Sequence, residues 1–435
     1  MRYLCFLNRH FHWLAKVPII QPLMKFERYD FEPVLKQSIA EAGFLRPTDI
    51  QFKAIPPILA GEDVLAIAQT GTGKTAAFAI PVINKLLLGK SAEISQGIKC
   101  IVMVPTRELA LQITEVFRQL AGNTGLETLC VFGGVEQDPQ IAALAEGVDI
   151  LVATPGRMFD LVSQGHILLN QIEILILDEA DHMLDLGFIK DIRDLIKYLP
   201  RKRQTLFFSA TIDLEIKKLA YSLVQNPIRI QISPKDPVSK NVDHSVAYIG
   251  MDDKRFFLER LIRENPESKI LVFVRTKVRA ERVCAALERV EVKSSTIHGD
   301  KAQQERTLVM KQFKEGDIRV LIATDVSARG IDIPNVQFVV NYDLPEQAEN
   351  YVHRIGRTGR GTHRGFAVSF CSPEEKEILD EIAVYIGREI KVMPINRTDY
   401  SETLDFSEVA PHDWRSLLKE EAQFEGKKKG KKKGK

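Results

Sequence analysis

A chain of 435 residues with 45% apolar and 27% charged side chains is long enough for two or three domains and has the composition of an ordinary globular protein. No apolar run approaches the roughly eighteen residues a membrane-crossing helix needs. Five scattered cysteines without a Cys-x-x-Cys pair argue against a disulfide framework or structural zinc and fit a reducing compartment. The net charge of +2 conceals a tail: residues 426–435 carry seven lysines and no acid, so the rest of the chain is net acidic and any nucleic-acid binding must come from local patches and that tail.

Residues 1–25 contain Arg2, Arg9 and Lys16 but no continuous apolar segment, and read as a loose extension preceding organised sequence, with Met24 as a natural start. From Phe31 to Ala42 apolar residues recur at helical spacing, and Gly43 closes that helix. Thr48 with Gln51 three positions later has the pattern of a capping box for the next helix. The apolar run Val64-Leu65-Ala66-Ile67 predicts a strand. It opens into Ala68-Gln69-Thr70-Gly71-Thr72-Gly73-Lys74-Thr75 and then a helical segment. Strand, glycine loop and helix in that order make a phosphate site: glycines let the backbone fold around phosphates, Lys74 neutralises charge, and the Thr75 hydroxyl suits Mg²⁺.

Apolar runs then alternate with helical segments at 100–104, 129–132, 150–152, 174–177 and 205–208, and again at 270–274, 295–297, 320–323, 338–340 and 366–369. Continuous apolar strands separated by helices predict mostly parallel sheets covered on both faces. Two such domains are expected, 26–232 and 244–394, joined by a proline-containing linker at 233–243. Ser372-Pro373-Glu374-Glu375 starts a late helix, order weakens past Pro394, and 395–435 read as an extension ending in a solvated, disordered lysine tail.

The strand at 174–177 ends in Asp178-Glu179-Ala180-Asp181, acids at the carboxyl edge of a parallel sheet where ligands of such folds bind. Asp178 is placed to hold Mg²⁺, and Glu179 to orient or deprotonate an attacking water. Pro105-Thr106-Arg107, Gly133-Gly134 and Thr154-Pro155-Gly156-Arg157 each follow a strand and pair donor groups with small or rigid residues. Alone, each is a turn and helix cap; together they suit contacts to a phosphate backbone. Ser209-Ala210-Thr211 reads by itself as a capped turn.

With these motifs in this order, the chain resembles the DEAD-box RNA helicases from about Phe26 to Val392, which implies two tandem RecA-like domains, ATP as fuel and RNA as partner. By that resemblance Gln51 reads adenine, Phe26 stacks on it, and Thr48 assists. Ser209 and Thr211 couple the acidic motif, with Asp181, to RNA. In the second domain, Arg275-Thr276, Gly299, Arg306 and Thr324 match RNA-contacting elements, Asp332 the ribose ligand, His353 a coupling residue, and Arg357 and Arg360 arginine fingers. The two arginines are three positions apart, so both can point one way. The fingers and the phosphate loop fall on different domains, so hydrolysis requires closure, and an ATP-gated clamp without unwinding is the alternative to strand separation. The compact layout is similar to bacterial members. It implies cytoplasmic work on ribosomal precursors or with RNA degradation machinery, while substrate choice stays unread.

Overall fold

The computed structural model describes residues 24–69, 71–89, 97–212, 214–232, 238–239, 241–325, 336–359 and 364–408. Two compact units divide the chain near residue 235.

The first unit is a seven-stranded sheet of β1 (Val64–Ile67), β2 (Cys100–Met103), β3 (Thr128–Val131), β4 (Ile150–Ala153), β5 (Ile174–Leu177), β6 (Gln204–Ser209) and β7 (Ile228–Gln231), in the order β3-β4-β2-β5-β6-β1-β7. Every pairing is parallel. Alternate strand residues divide between two cores. Val64, Ala66, Val102, Val152, Ile176 and Phe208 enter one, while Leu65, Ile67, Ile101, Leu151, Leu177 and Phe207 enter the other. Because side chains alternate across a strand and helices cover both faces, the sequence shows unbroken apolar runs instead of alternation. Each fully buried Leu, Ile or Phe contributes roughly 1.5–3 kcal/mol.

The second unit repeats the plan with β8 (Val242–Tyr248), β9 (Ile270–Phe273), β10 (Ser294–Ile297), β11 (Val320–Ala323), β12 (Phe338–Asn341), β13 (Gly365–Cys371) and β14 (Lys391–Val392), ordered β10-β11-β9-β12-β13-β8-β14 and again all parallel. Three strands, β7, β8 and β14, were not among the expected runs. β7 is mostly exposed and carries Arg229, β8 is interrupted by Asp243, His244 and Ser245, and β14 is two residues long, so none presents an apolar run. β8 begins at Val242, inside the stretch expected to be linker. The rest of that linker, residues 233–237 and 240, lies outside the described residues, as do 1–23 and the lysine tail.

Beyond Pro394 the chain is more ordered than its composition suggests. The helix Arg397–Glu408 packs on the helix Lys254–Glu264: the Tyr400 ring lies 4.9 Å from Phe257, its hydroxyl donates to Asp253 at 2.7 Å and accepts from Gly250 N at 3.0 Å. Arg260 adds a bond to the Thr403 hydroxyl at 2.6 Å. Tertiary contacts, not apolar periodicity, hold this helix, so the sequence pattern did not reveal it.

Candidate active site

In a parallel sheet every strand ends at the same edge, so strand order decides which loops meet. In the first unit β5, β6 and β1 are neighbours, and the loops after them carry Asp178–Asp181, Ser209–Thr211 and the phosphate loop. β3, β4 and β2 are the other neighbouring set, and after them come Gly133-Gly134, Thr154–Arg157 and Pro105–Arg107. The edge is thus divided into a phosphate half and a half bearing the three donor-rich loops.

In the phosphate half, Gly71 (φ 80°) and Gly73 (φ 91°) adopt left-handed backbone that side chains resist. Thr72 Oγ1 donates to Gln69 O at 2.8 Å, and Ala68 N to Ser209 O at 2.9 Å. Thr70 lies outside the described residues. Lys74 opens the helix Lys74–Gly89 and is only 6% exposed. Among the described residues its Nζ has no hydrogen-bond partner and makes a 3.8 Å ion-pair contact with Asp178 Oδ1. A buried ammonium without a hydrogen bond, next to a glycine turn and a helix N-terminus, is what a phosphate would satisfy. Thr75 follows on the same turn.

Asp178 is buried, and burial raises its carboxyl pKa to about 6, with Lys74 pulling it down and Glu179 pushing it up. Its Oδ1 accepts from Glu179 N at 3.0 Å. Glu179 itself sits in left-handed backbone (φ 52°), a conformation costly for a residue with a Cβ and frequent at functional sites. Asp181 is held differently. Its Oδ2 accepts from Ala210 N and Thr211 N, both at 3.0 Å, and from Thr211 Oγ1 at 3.3 Å. The acidic motif and the Ser209–Thr211 turn are therefore one bonded unit, with Asp181 at its centre.

Gln51 makes two hydrogen bonds, one within the cap of its own helix and one to the phosphate loop. Its Oε1 accepts from Thr48 N at 2.9 Å, completing the cap, and its Nε2 donates to Gly73 O at 3.1 Å. Gln51 thus lies against the phosphate loop while capping its own helix. Phe26 is packed with Tyr29 and Phe44 and is 3% exposed, so stacking on a base would require its ring to move.

In the other half, Thr106 Oγ1 accepts from Leu109 N at 3.3 Å and caps the helix Arg107–Ala121, while Pro155 starts the helix Pro155–Ser163 behind Thr154. Two helix N-termini thus lie on the same stretch of edge as the Gly133-Gly134 turn. Gly134 (φ 78°) lies against the Arg107 guanidinium, and Gly156 is open. Arg157 is 9% exposed and its Nη2 donates to Val135 O at 2.7 Å, tying one loop to the next.

In the second unit β10, β11 and β9 are neighbours, which brings Gly299, Thr324 and Thr276 to one stretch of edge. Thr276 caps the helix Lys277–Arg289 and Gly299 is open. Arg306 is buried on the helix Gln303–Glu315. Arg275, an expected RNA contact, is tied to a buried carboxylate. Its Nη2 bonds to Glu375 Oε1 at 3.2 Å and Leu344 O at 3.3 Å, within a network in which the fully buried Lys254 pairs with Glu375 at 2.5 Å and Arg279 with Asp343 at 3.0 Å. The buried Glu375 carboxylate is stabilised by these cations, while 35% of the Arg275 side chain stays exposed. No run of residue types in the sequence marks this network. The helix Ala348–Ile355 carries His353, and Arg357 Nε donates to His353 O at 3.2 Å just beyond its end. Asp332 and Arg360 lie outside the described residues. No helix among the described residues is long and apolar enough to cross a membrane.

Comparison with known proteins agrees with this layout. The DEAD/DEAH box helicase model matches residues 48–219 and the helicase conserved C-terminal domain model residues 253–362. The chain is 42% identical over 386 residues to the ATP-dependent RNA helicase RhlB of Shewanella oneidensis, spanning 88% of this chain and 87% of that one. Against the protein of the same description from Shewanella frigidimarina it is 41% identical over 385 residues, 88% of each. The solved structure of S. cerevisiae Dbp5 bound to RNA and ADP BeF3 superposes with a TM-score of 0.76 at 30% identity, covering 89% of this chain and 100% of that chain. With both family models in tandem, and with the phosphate loop, the acidic motif and the donor-rich loops on their expected strand ends, the chain belongs to the DEAD/DEAH box helicase family.

Proposed function

We propose that the protein is an ATP-dependent RNA helicase that couples ATP hydrolysis to local separation of short RNA duplexes. The observation that carries this reading is the Lys74 ammonium, buried beside Asp178 without a hydrogen bond among the described residues and following two left-handed glycines in the loop. Lys74 and the loop amides bind the phosphates. Asp178 and Thr75 would hold Mg²⁺, which would supply charge neutralisation on the transferring group. A cation there favours ionised Asp178, reversing the upward pull of burial. Glu179 holds the attacking water and accepts its proton. Arg357 and Arg360, supplied by the second unit, stabilise charge developing on the γ-phosphate, a contribution worth about 10³ to 10⁵ in rate for such arginines.

RNA is held by its backbone along the loops after β2, β3 and β4 and those after β9, β10 and β11. Amides, hydroxyls and helix N-termini at these positions read no bases, so binding is sequence-independent. Ribosomal precursors or the RNA degradation machinery are the expected setting, in the cytoplasm. The test uses the full chain: ATP turnover with and without single-stranded RNA, and strand separation of a short duplex. RNA-stimulated turnover with ATP-dependent separation supports the reading. Turnover indifferent to RNA overturns it, and stimulated turnover without separation identifies a clamp.

A further inference from the structure

The helix Ala348–Ile355, which leads into Arg357, is pinned to the sheet by one side chain that no motif role accounts for. Arg354 is 2% exposed. Its Nε and Nη2 bond to Asp325 Oδ1 and Oδ2 at 2.5 and 2.7 Å, a two-point pair, and its Nη1 donates to Asp343 O at 2.7 Å and Asn341 Oδ1 at 3.3 Å. The guanidinium also lies 5.1 Å from the Phe273 ring. Asp325 closes the end of β11, Asn341 and Asp343 the end of β12, and Phe273 the end of β9, so three strand ends converge on one buried cation. Asn341 is fixed in turn by the Ser369 hydroxyl at 3.0 Å.

Asp325 is the covalent neighbour of Thr324, a residue the proposed function places on RNA, and Arg354 is one helical turn from Arg357, which it places on phosphate. We infer that the Arg354–Asp325 pair is the positioning contact that links RNA held at the end of β11 to the placement of Arg357. A bidentate guanidinium–carboxylate pair fixes distance and plane together, so a shift of the β11 end cannot occur without moving the helix that leads to Arg357. An apolar contact would let the two slide. The inference rests on the RNA helicase reading given above, and its physical warrant is this contiguous buried contact, whose coupling must be measured.

The experiment measures ATP turnover of the full chain against RNA concentration for wild type, Asp325→Asn, Arg354→Lys and the double variant, with thermal melting of each and ATP affinity without RNA. Asp325→Asn keeps shape while removing charge; Arg354→Lys keeps charge while removing the planar fork. The expected result is ATP affinity and half-saturating RNA within about threefold of wild type, RNA-stimulated kcat down at least tenfold in each single variant, and a double variant no worse than the poorer single one, as for residues acting through one contact. A kcat within twofold of wild type in either folded single variant overturns the inference. So do losses that multiply in the double variant, and so does a loss confined to half-saturating RNA, which marks support of the RNA site alone. If one variant melts below the assay temperature, the other decides by the same thresholds; if both do, the pair is a structural pin and the inference fails. A wild-type protein without RNA-stimulated turnover refutes the proposed function instead.

Discussion

The Gln51 side chain bridges the cap of its own helix and the phosphate loop twenty-two residues on, accepting from Thr48 N and donating to Gly73 O at 3.1 Å. Gln51→Ala removes the part-buried bonds to Thr48 N and Gly73 O, at about 1–3 kcal/mol together. Because the lost bond positions Gly73, KM for ATP should rise more than kcat falls, a split that steady-state ATPase measurements resolve. Gly73→Ala should be harsher. Its Cβ would lie 2.6 Å from Gln51 Nε2 on backbone at φ 91°, and loss of ATP binding by equilibrium titration is the expected outcome.

Lys74→Ala and Glu179→Gln should separate binding from chemistry. The first removes the buried ammonium that awaits phosphate and should weaken ATP binding. The second keeps shape but cannot take a proton, so ATP and RNA binding persist while turnover falls by about 10² to 10⁴. Near-normal turnover in Glu179→Gln would reject that role for Glu179.

Arg357→Lys should fail to restore function, since a point charge lacks the planar fork that spans two phosphate oxygens. ATP affinity should change little while kcat drops by at least tenfold. Wild-type kcat in this variant rules out the finger assignment.

The C-terminal helix Arg397–Glu408 should be a structural part of the second unit. Tyr400→Phe deletes a hydroxyl bonded to both Asp253 and Gly250 N, and should lower stability by about 1–2 kcal/mol. Ending the chain at Pro394 should cost more, because the Phe257 contact and the Arg260 bonds go too. Denaturant midpoints check both, and an unchanged midpoint for the shortened chain shows that the helix is dispensable.

Burial raises the Glu281 carboxyl, but hydrogen bonds from Thr296 and His298, with Lys301 nearby, outweigh it and hold the group below its usual value. A depressed folded pKa stabilises the protein above the unfolded value of 4.5, and that contribution is lost as pH falls through the folded value. Glu281→Gln should therefore be less stable than wild type at pH 7, with the gap narrowing below about pH 4.5. A gap independent of pH excludes the ionised carboxylate as its source.

The sequence alone determined the chemistry-bearing loops, since a phosphate loop, an acidic strand end and capped helix starts each need particular residue types at fixed short spacing: Gly73 before Lys74, Asp178 after four apolar residues, Thr106 before its helix. It also determined the parallel class of both sheets, because burial on two faces leaves unbroken apolar runs. Strand order is not local. Nothing in the chain order of β2, β3 and β4 says that their loops lie together in the sequence β3-β4-β2, or that β6 separates β5 from β1; crossover connections and packing of both cores decided that. Side-chain partners were equally out of reach. Arg157, Arg275 and Arg354 are the same residue type in the sequence, yet a carbonyl at Val135, the buried Glu375 and the half-buried Asp325 at the end of β11 claim them respectively. An arginine's role depends on which desolvated acceptor lies within reach of its long side chain, and only the folded chain brings residues 325 and 354 within 2.7 Å.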